Sequence, residues 1–377
     1  MTLLKREIQD LIEKNFFKGK VIIIYGARQV GKTTLINQIQ HKYPHSLYLN
    51  CDEPDIRMAL TDVSSTQIKS FIGNKKIIFI DEAQRVRNIG LTLKIMVDNF
   101  KDVQIIASGS SSFELSDRIV EPLTGRKYEF YLYPFSLREL LQIYSEIELK
   151  RIIEKRMILG MYPEVVSLPE EEAKSLLREI TKSYLYKDVL AYQRIKNPDI
   201  LEKLLQLLAL QIGKEVSFNE LASNLGIDKK TVAGYIQILE KAFIIFRIKP
   251  FSKNLRKEIT KLRKIYFFDT GVRNTLINNF NPLYLRQDRG ELWENFLISE
   301  RVKLNMNRQR YVNMYFWRTH QKEEIDYLEE YEGKIEGFEF KISEKKMKVP
   351  KSFIKSYPHI EVNLINRENF KEFVLNI

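Results

Sequence analysis

The chain is poor in the residues that build metal and redox frameworks. Its 377 residues include one cysteine, Cys51, and four scattered histidines. A single thiol excludes an internal disulfide framework and fits a reducing compartment. One cysteine and four separated histidines also leave no zinc constellation. No apolar run approaches the roughly 20 residues that cross a bilayer, so no membrane association is expected. The opening MTLLKRE lacks the apolar core of an export signal, and a cytoplasmic location follows as the expectation. Internal repeats and low-complexity linkers are missing too. What is plentiful is ordinary globular material, with 44% hydrophobic and 29% charged residues. The length exceeds one ordinary core and predicts two to three domains. The net charge of +12 and isoelectric point near 9.3 favour an anionic partner without specifying one.

Residues 21–25 (VIIIY) form a continuous apolar run that ends in glycine, as in a strand buried on both faces. Similar runs recur at 46–50, 77–80 and 103–107, with helical stretches between them. Such alternation predicts a parallel α/β sheet. From Ser136 to about Leu210 the apolar spacing becomes helical.

Residues 26–33 read GARQVGKT, which matches G-x-x-x-x-G-K-[ST] at every fixed position. From average usage, chance produces the pattern in about one chain in a hundred of this length. Here it also follows a predicted strand and precedes a predicted helix. Gly26 and Gly31 let the backbone curl so that its N–H groups face phosphate oxygens. The following helix adds the positive end of its dipole. Lys32 is expected to reach the β- and γ-phosphates, and Thr33 to ligate magnesium. Arg28 and Thr34 complete the predicted nucleotide-binding set. The run IIFI at 77–80 delivers Asp81 to its carboxyl end, where it can hold magnesium through water. Glu82 is then placed to polarise the attacking water. ATP with magnesium is the predicted ligand, and hydrolysis the predicted reaction.

These residues resemble those of the prokaryotic AAA-type ATPases that carry an uncharacterised C-terminal domain, relatives of the signal-transduction NTPases. The likeness rests on Gly26–Thr33, DEAQ at 81–84, SGSS at 108–111, Gly125-Arg126 and GMYP at 160–163. It implies a γ-phosphate sensor at Ser108 or Ser110, and a trans-acting or sensing role for Arg126. It also implies a lid turn near the adenine at Gly160–Pro163. The plainer alternatives are a serine that caps a strand and an arginine that is solvated.

Residues 217–249 read as two short helices and a wing strand. Ser217 and Glu220 form a capping-box pair, Gly226 ends the first helix, and Asp228 caps the second at 229–242. Residues 226–264 hold eleven Lys and Arg against three Asp and Glu, 11 − 3 = +8. Lys229 and Lys230 oppose the helix dipole, a conflict that a DNA phosphate would relieve. Arg247, Lys249, Lys253, Arg256 and Lys257 would follow the backbone. DNA is the expected partner; a protein contact or a solvated face is the alternative.

Beyond this block the pattern reads helix, strand, strand, strand, helix, strand, helix. Glu294 lies on the first helix, Asp326 on a strand, and Glu339 and Lys341 on one face of a third strand. The order resembles the PD-(D/E)xK nuclease fold, including WRT at 317–319 ahead of the aspartate. That resemblance implies magnesium on Asp326 and Glu339, with Lys341 stabilising developing charge. Taken alone, Glu-x-Lys on a strand is an exposed amphipathic face.

The expected architecture is therefore a P-loop NTPase core at 1–135, a helical lid at 136–210, a winged helix-turn-helix at 211–262 and a restriction-endonuclease-like α/β domain at 263–377. Two functions fit it. One is a DNA-associated ATPase with a metal-dependent nuclease domain. The other is a nucleotide-gated switch or protein-binding scaffold whose nuclease-like domain is inert. Arg126 hints at a site shared between copies in a homo-oligomer.

Overall fold

A computed structural model describes residues 3–109, 123–184, 197–251, 263–343 and 346–376. The chain divides into two compact units, 1–133 with 241–243, and 134–240 with 244–377. Apart from 241–243, the first unit ends at Tyr133 and the second begins at Pro134. The division does not separate the three later blocks, which share one unit.

The first unit is built on five strands: β1 (Val21–Gly26), β2 (Leu47–Asn50), β3 (Ile77–Asp81), β4 (Gln104–Gly109) and β5 (Lys127–Leu132). They lie in the order β2-β3-β4-β1-β5, all parallel. Every residue of β1, β3 and β4 is buried. That is why these segments read as unbroken apolar runs rather than alternating ones. Among the described residues, the unit also holds helices α1 (Ile8–Lys14), α2 (Lys32–Gln40), α3 (Pro54–Leu60), α4 (Ser65–Ile72) and α5 (Ile89–Asn99). Ile68 and Ile72 of α4 and Leu93, Met96 and Val97 of α5 join Ile78, Ile80 and Ile105 in the core.

The second unit opens with helices, as the spacing from Ser136 predicts: α6 (Leu137–Leu140), α7 (Glu146–Leu159), α8 (Pro163–Ser167), α9 (Glu170–Tyr184) and α10 (Pro198–Leu210). Capping boxes at Ser136/Glu139 and Ser145/Glu148 start α6 and α7. Then come β6 (Glu215–Val216), α11 (Phe218–Leu225), α12 (Lys229–Lys241), β7 (Ile245–Pro250), β8 (Arg263–Phe267) and α13 (Thr270–Leu276). The rest is α14 (Arg289–Asn307), β9 (Asn313–Arg318), β10 (Glu324–Tyr331), β11 (Lys334–Phe340), α15 (Lys351–Ser356), β12 (Glu361–Ile365) and α16 (Phe370–Leu375).

One seven-stranded sheet, β12-β11-β10-β9-β7-β8-β6, runs through this unit. The boundary expected at 262/263 therefore falls inside a sheet. β8 hydrogen-bonds antiparallel to β7, and β7 pairs with β9 through Lys249↔Tyr315 and Pro250↔Phe316. The local pattern shows strands but not their pairing. Among the described residues, no helix is long and apolar enough to cross a membrane.

Candidate nucleotide site and a second carboxylate cluster

At the carboxyl edge of the first sheet, β1 feeds the P-loop and α2 leaves it. A Cβ on Gly26 would lie 2.3 Å from the Leu132 carbonyl oxygen, so only glycine fits there. Gly31 has φ +95°, a left-handed backbone that lets the chain turn into α2. Arg6 is buried and donates to the carbonyls of Val30 and Tyr133, both at 2.6 Å, tying the loop to the end of the sheet. Lys32 is buried and donates to the carbonyls of Gly26 (2.9 Å) and Ala27 (2.8 Å). Thr34 follows in the first turn of α2, and Arg28 is half-buried in the loop.

Asp81, at the end of β3, is 2% exposed. Its Oδ2 accepts from the Thr33 hydroxyl at 2.7 Å and the Tyr48 hydroxyl at 2.8 Å. Its Oδ1 accepts from the Ser108 hydroxyl and from the Glu82 backbone N–H at 3.2 Å. Strand ends from β2, β3 and β4 thus meet the P-loop threonine at one carboxylate. Glu82 has φ +53°, an uncommon conformation for this residue type, and its carboxylate accepts from Gln84 at 2.5 Å. The Thr33 hydroxyl and Asp81 carboxylate are adjacent hard oxygen donors, the set that suits magnesium. Burial, then the Asp81 charge, push up the Tyr48 hydroxyl, which keeps it a donor. Cys51 is buried and its thiol is pushed up to about 12, first by burial and then by Asp81. It is packed rather than reactive.

Arg126 is not brought to this edge. Its carbonyl accepts from the N–H of Val21 at the start of β1, so it lies at the opposite end of the sheet from Gly26. Its guanidinium pairs with Asp98 at 2.8 Å. Pro163 opens α8 in the second unit. Ser110 lies outside the described residues.

In the second unit, Asp228 caps α12 by accepting from the N–H groups of Lys230 (2.8 Å) and Thr231 (2.9 Å). Gly226 ends α11 at φ +66°. Lys229, Lys230 and Lys249 are exposed. Arg247 departs from its expected role, because its guanidinium is paired with Glu240 through bonds of 2.6 and 2.5 Å. Lys253, Arg256 and Lys257 lie outside the described residues.

Glu294, Asp326, Glu339 and Lys341 are brought within electrostatic reach of one another. The register between β10 and β11 carries Asp326 opposite Glu339, one step beyond the Tyr327–Phe338 pair. The β9–β10 register slips by one residue at Asp326 and Tyr327, so Ile325 and Leu328 both pack with Trp317 and Phe353. A bulge of this kind re-aims a side chain. Asp326 Oδ2 accepts from the Phe340 N–H at 2.9 Å, and Lys341 lies 3.5 Å from Glu339. Burial, then the Asp326 charge, raise Glu339 to about 8, against the pull of Lys341. Glu294 is raised to about 7 by burial, with Lys264 opposing.

Sequence reasoning missed Lys264 and Tyr266. Lys264 is 1% exposed, lies 3.1 Å from Glu294 and also pairs with Glu324. Tyr266 donates to Glu294 at 2.5 Å. Their alternation on β8 was the available signal, but Lys264 was counted as surface charge. Among the described residues, no group of three or more His, Cys, Asp or Glu is arranged to hold a metal ion. The expected metal site at Asp326 and Glu339 therefore has two carboxylates facing each other, while Glu294 is taken up by Lys264 and Tyr266. A surface cavity of about 740 Å³ in the same unit, lined by Arg301, Arg308 and Arg310 among others, includes none of these residues.

Comparison with known proteins gives likenesses of sequence and of fold. A model of the AAA domain matches residues 18–141. Two domains of unknown function, DUF8612 and DUF4143, match residues 150–283 and 289–374. The chain is 28% identical over 314 residues to an uncharacterized protein of Methanocaldococcus jannaschii, covering 73% of this chain and 65% of that one. It thus spans just under two thirds of that relative's length. An uncharacterized protein of Mycobacterium tuberculosis is 25% identical over 347 residues, covering 90% of this chain and 74% of its own. Among solved structures, the Walker-type ATPase of Pyrococcus abyssi superimposes with a TM-score of 0.50 at 16% identity, over 73% of this chain and 96% of that one. At that identity the likeness speaks to fold alone. Residues 18–141 thus match a model of the AAA domain, and the chain shares its fold with a Walker-type ATPase.

Proposed function

We propose that the chain binds ATP with magnesium at the P-loop and hydrolyses it. The observation that carries this reading is the buried Asp81, joined to Thr33 on one oxygen and to Ser108 on the other. Lys32 exchanges its two P-loop carbonyls for the β- and γ-phosphates, while the loop N–H groups and the α2 dipole hold the remaining charge. Magnesium on Thr33, with Asp81 behind its water shell, would neutralise the phosphate oxygens. Glu82 orients and deprotonates the attacking water, and Ser108 reports the γ-phosphate to Asp81. Arg126 acts, in this reading, on the site of a second copy in a homo-oligomer.

Glu82→Gln is expected to lower ATP turnover about 10²–10⁴-fold while a fluorescent ATP analogue still binds. Turnover within a few-fold of wild type would remove Glu82 from the base role.

For the second unit, the reading is DNA association through Lys229 and Lys230 of a winged module, supported by their exposure at the start of α12. Charge reversal of both should abolish duplex binding, and wild-type affinity should fall steeply with salt. Salt-insensitive binding that survives the reversal would point to a protein interface. The buried Lys264 among Glu294 and Glu324 favours the second reading for the C-terminal region, a nuclease-like scaffold that does not cut. Magnesium-dependent cleavage lost in Asp326→Ala would overturn that.

A further inference from the structure

We infer that Tyr48 is a positioning residue of the magnesium site: its hydroxyl holds Asp81 in the orientation that the metal's water shell requires. The inference rests on the reading of Asp81 given above and adds a residue that no P-loop pattern contains.

The geometry is set by the strand pairing. β2 runs parallel to β3 with Tyr48 level with Phe79 and Asn50 level with Asp81. Tyr48 is therefore two residues, roughly 6.6 Å, short of the carboxylate along the strand direction. A tyrosine is long enough to close that gap with a donor at its tip. A serine or threonine is too short, and a phenylalanine brings no donor. The Tyr48 hydroxyl reaches Oδ2 at 2.8 Å, the same oxygen that Thr33 reaches at 2.7 Å.

The two donors differ in what happens when metal arrives. A hydroxyl has one proton and two lone pairs, so Thr33 can ligate magnesium with a lone pair while its proton remains on Asp81. Any adjustment of Thr33 toward the metal weakens or lengthens that bond. Tyr48 comes from another strand and has no part in the coordination, so its bond stays. The Asp81 carboxylate turns about a broad, two-fold torsion. With Oδ1 held by Ser108 and the Glu82 N–H, a second donor on Oδ2 keeps that oxygen in place when Thr33 shifts. Partners one layer behind a metal site commonly change metal affinity about 10–100-fold when removed.

The test uses the full chain and a fluorescent ATP analogue, titrated with magnesium and compared with the same binding in EDTA. Tyr48→Phe keeps the ring and removes the donor. The expected result is unchanged metal-free nucleotide affinity and a magnesium half-saturation about ten-fold higher. Asp81→Asn serves as the reference. If Asp81→Asn raises the magnesium half-saturation and Tyr48→Phe does not, the positioning role is wrong while the Asp81 reading stands. If Asp81→Asn leaves it unchanged, the Asp81 reading fails and the role of Tyr48 with it. If Tyr48→Phe weakens metal-free binding as much as metal-dependent binding, Tyr48 only packs the strand, and the inference is overturned.

Discussion

Asp81 and Asp326 are both buried aspartates carried by strands, but their neighbours make them different objects. Asp81 is surrounded by hydroxyls and a backbone N–H, neutral donors that satisfy its charge without competing for it. Asp326 faces Glu339 and lies near Glu294, with Lys264 and Lys341 among them. Neutral donors leave the negative charge available to a cation from solution. In the second cluster, carboxylates raise one another's proton affinity and a fully buried ammonium takes up part of their charge. The comparison teaches that two buried carboxylate sites are set apart less by the carboxylates than by the character of their remaining neighbours.

The sharpest way to break the comparison is to remove each aspartate in turn. Asp81→Ala is expected to lower ATP turnover at least about 100-fold, as loss of a group that positions and neutralises charge should. Asp326→Ala should leave the ATP turnover of the same chain near wild type. Equal losses would mean the clusters do not act independently.

Next in size is Lys264→Met. It leaves Glu294 and Glu324 without their shared partner, and breaking a buried pair typically costs about 3–5 kcal/mol. Urea unfolding would read this as a lowered midpoint, part of which Glu294→Gln on the same chain should restore. A midpoint equal to wild type would show that Lys264 is not what holds the cluster.

Metal removal separates the regions more gently. EDTA should stop ATP turnover yet leave the thermal unfolding midpoint of the nucleotide-free chain where it was. A drop in that midpoint would reveal a resident metal and reverse the reading of the second cluster. The smallest effect concerns Cys51. With its thiol raised to about 12 it stays protonated through neutral pH, so iodoacetamide at pH 8 should label it only after urea is added.

How much of this was legible depended on how local each feature is. The P-loop, Asp81 and the cap at Asp228 are patterns of a few adjacent residues, and sequence names them directly. Strands β1, β3 and β4 were legible because burial on both faces leaves a continuous apolar run. Tyr48, Lys264 and Tyr266 were not, because each acts on a residue far away in the chain and nothing in its own neighbourhood records the partner. Arg247 misled for the same reason, since its charge is answered by Glu240.

The amino-acid sequence by itself determined that a strand, a glycine-rich turn and a helix would form a phosphate cradle, and that an aspartate would end a buried strand beside it. Those outcomes follow from backbone freedom at glycine and from apolar periodicity, which act over a few residues. Only the tertiary structure decided that Arg126 lies at the far end of the sheet and that β7 joins the C-terminal sheet. It alone placed Lys264 among the carboxylates. Register and strand order settle these matters, and both are chosen by the packing of the whole sheet rather than by any segment of it.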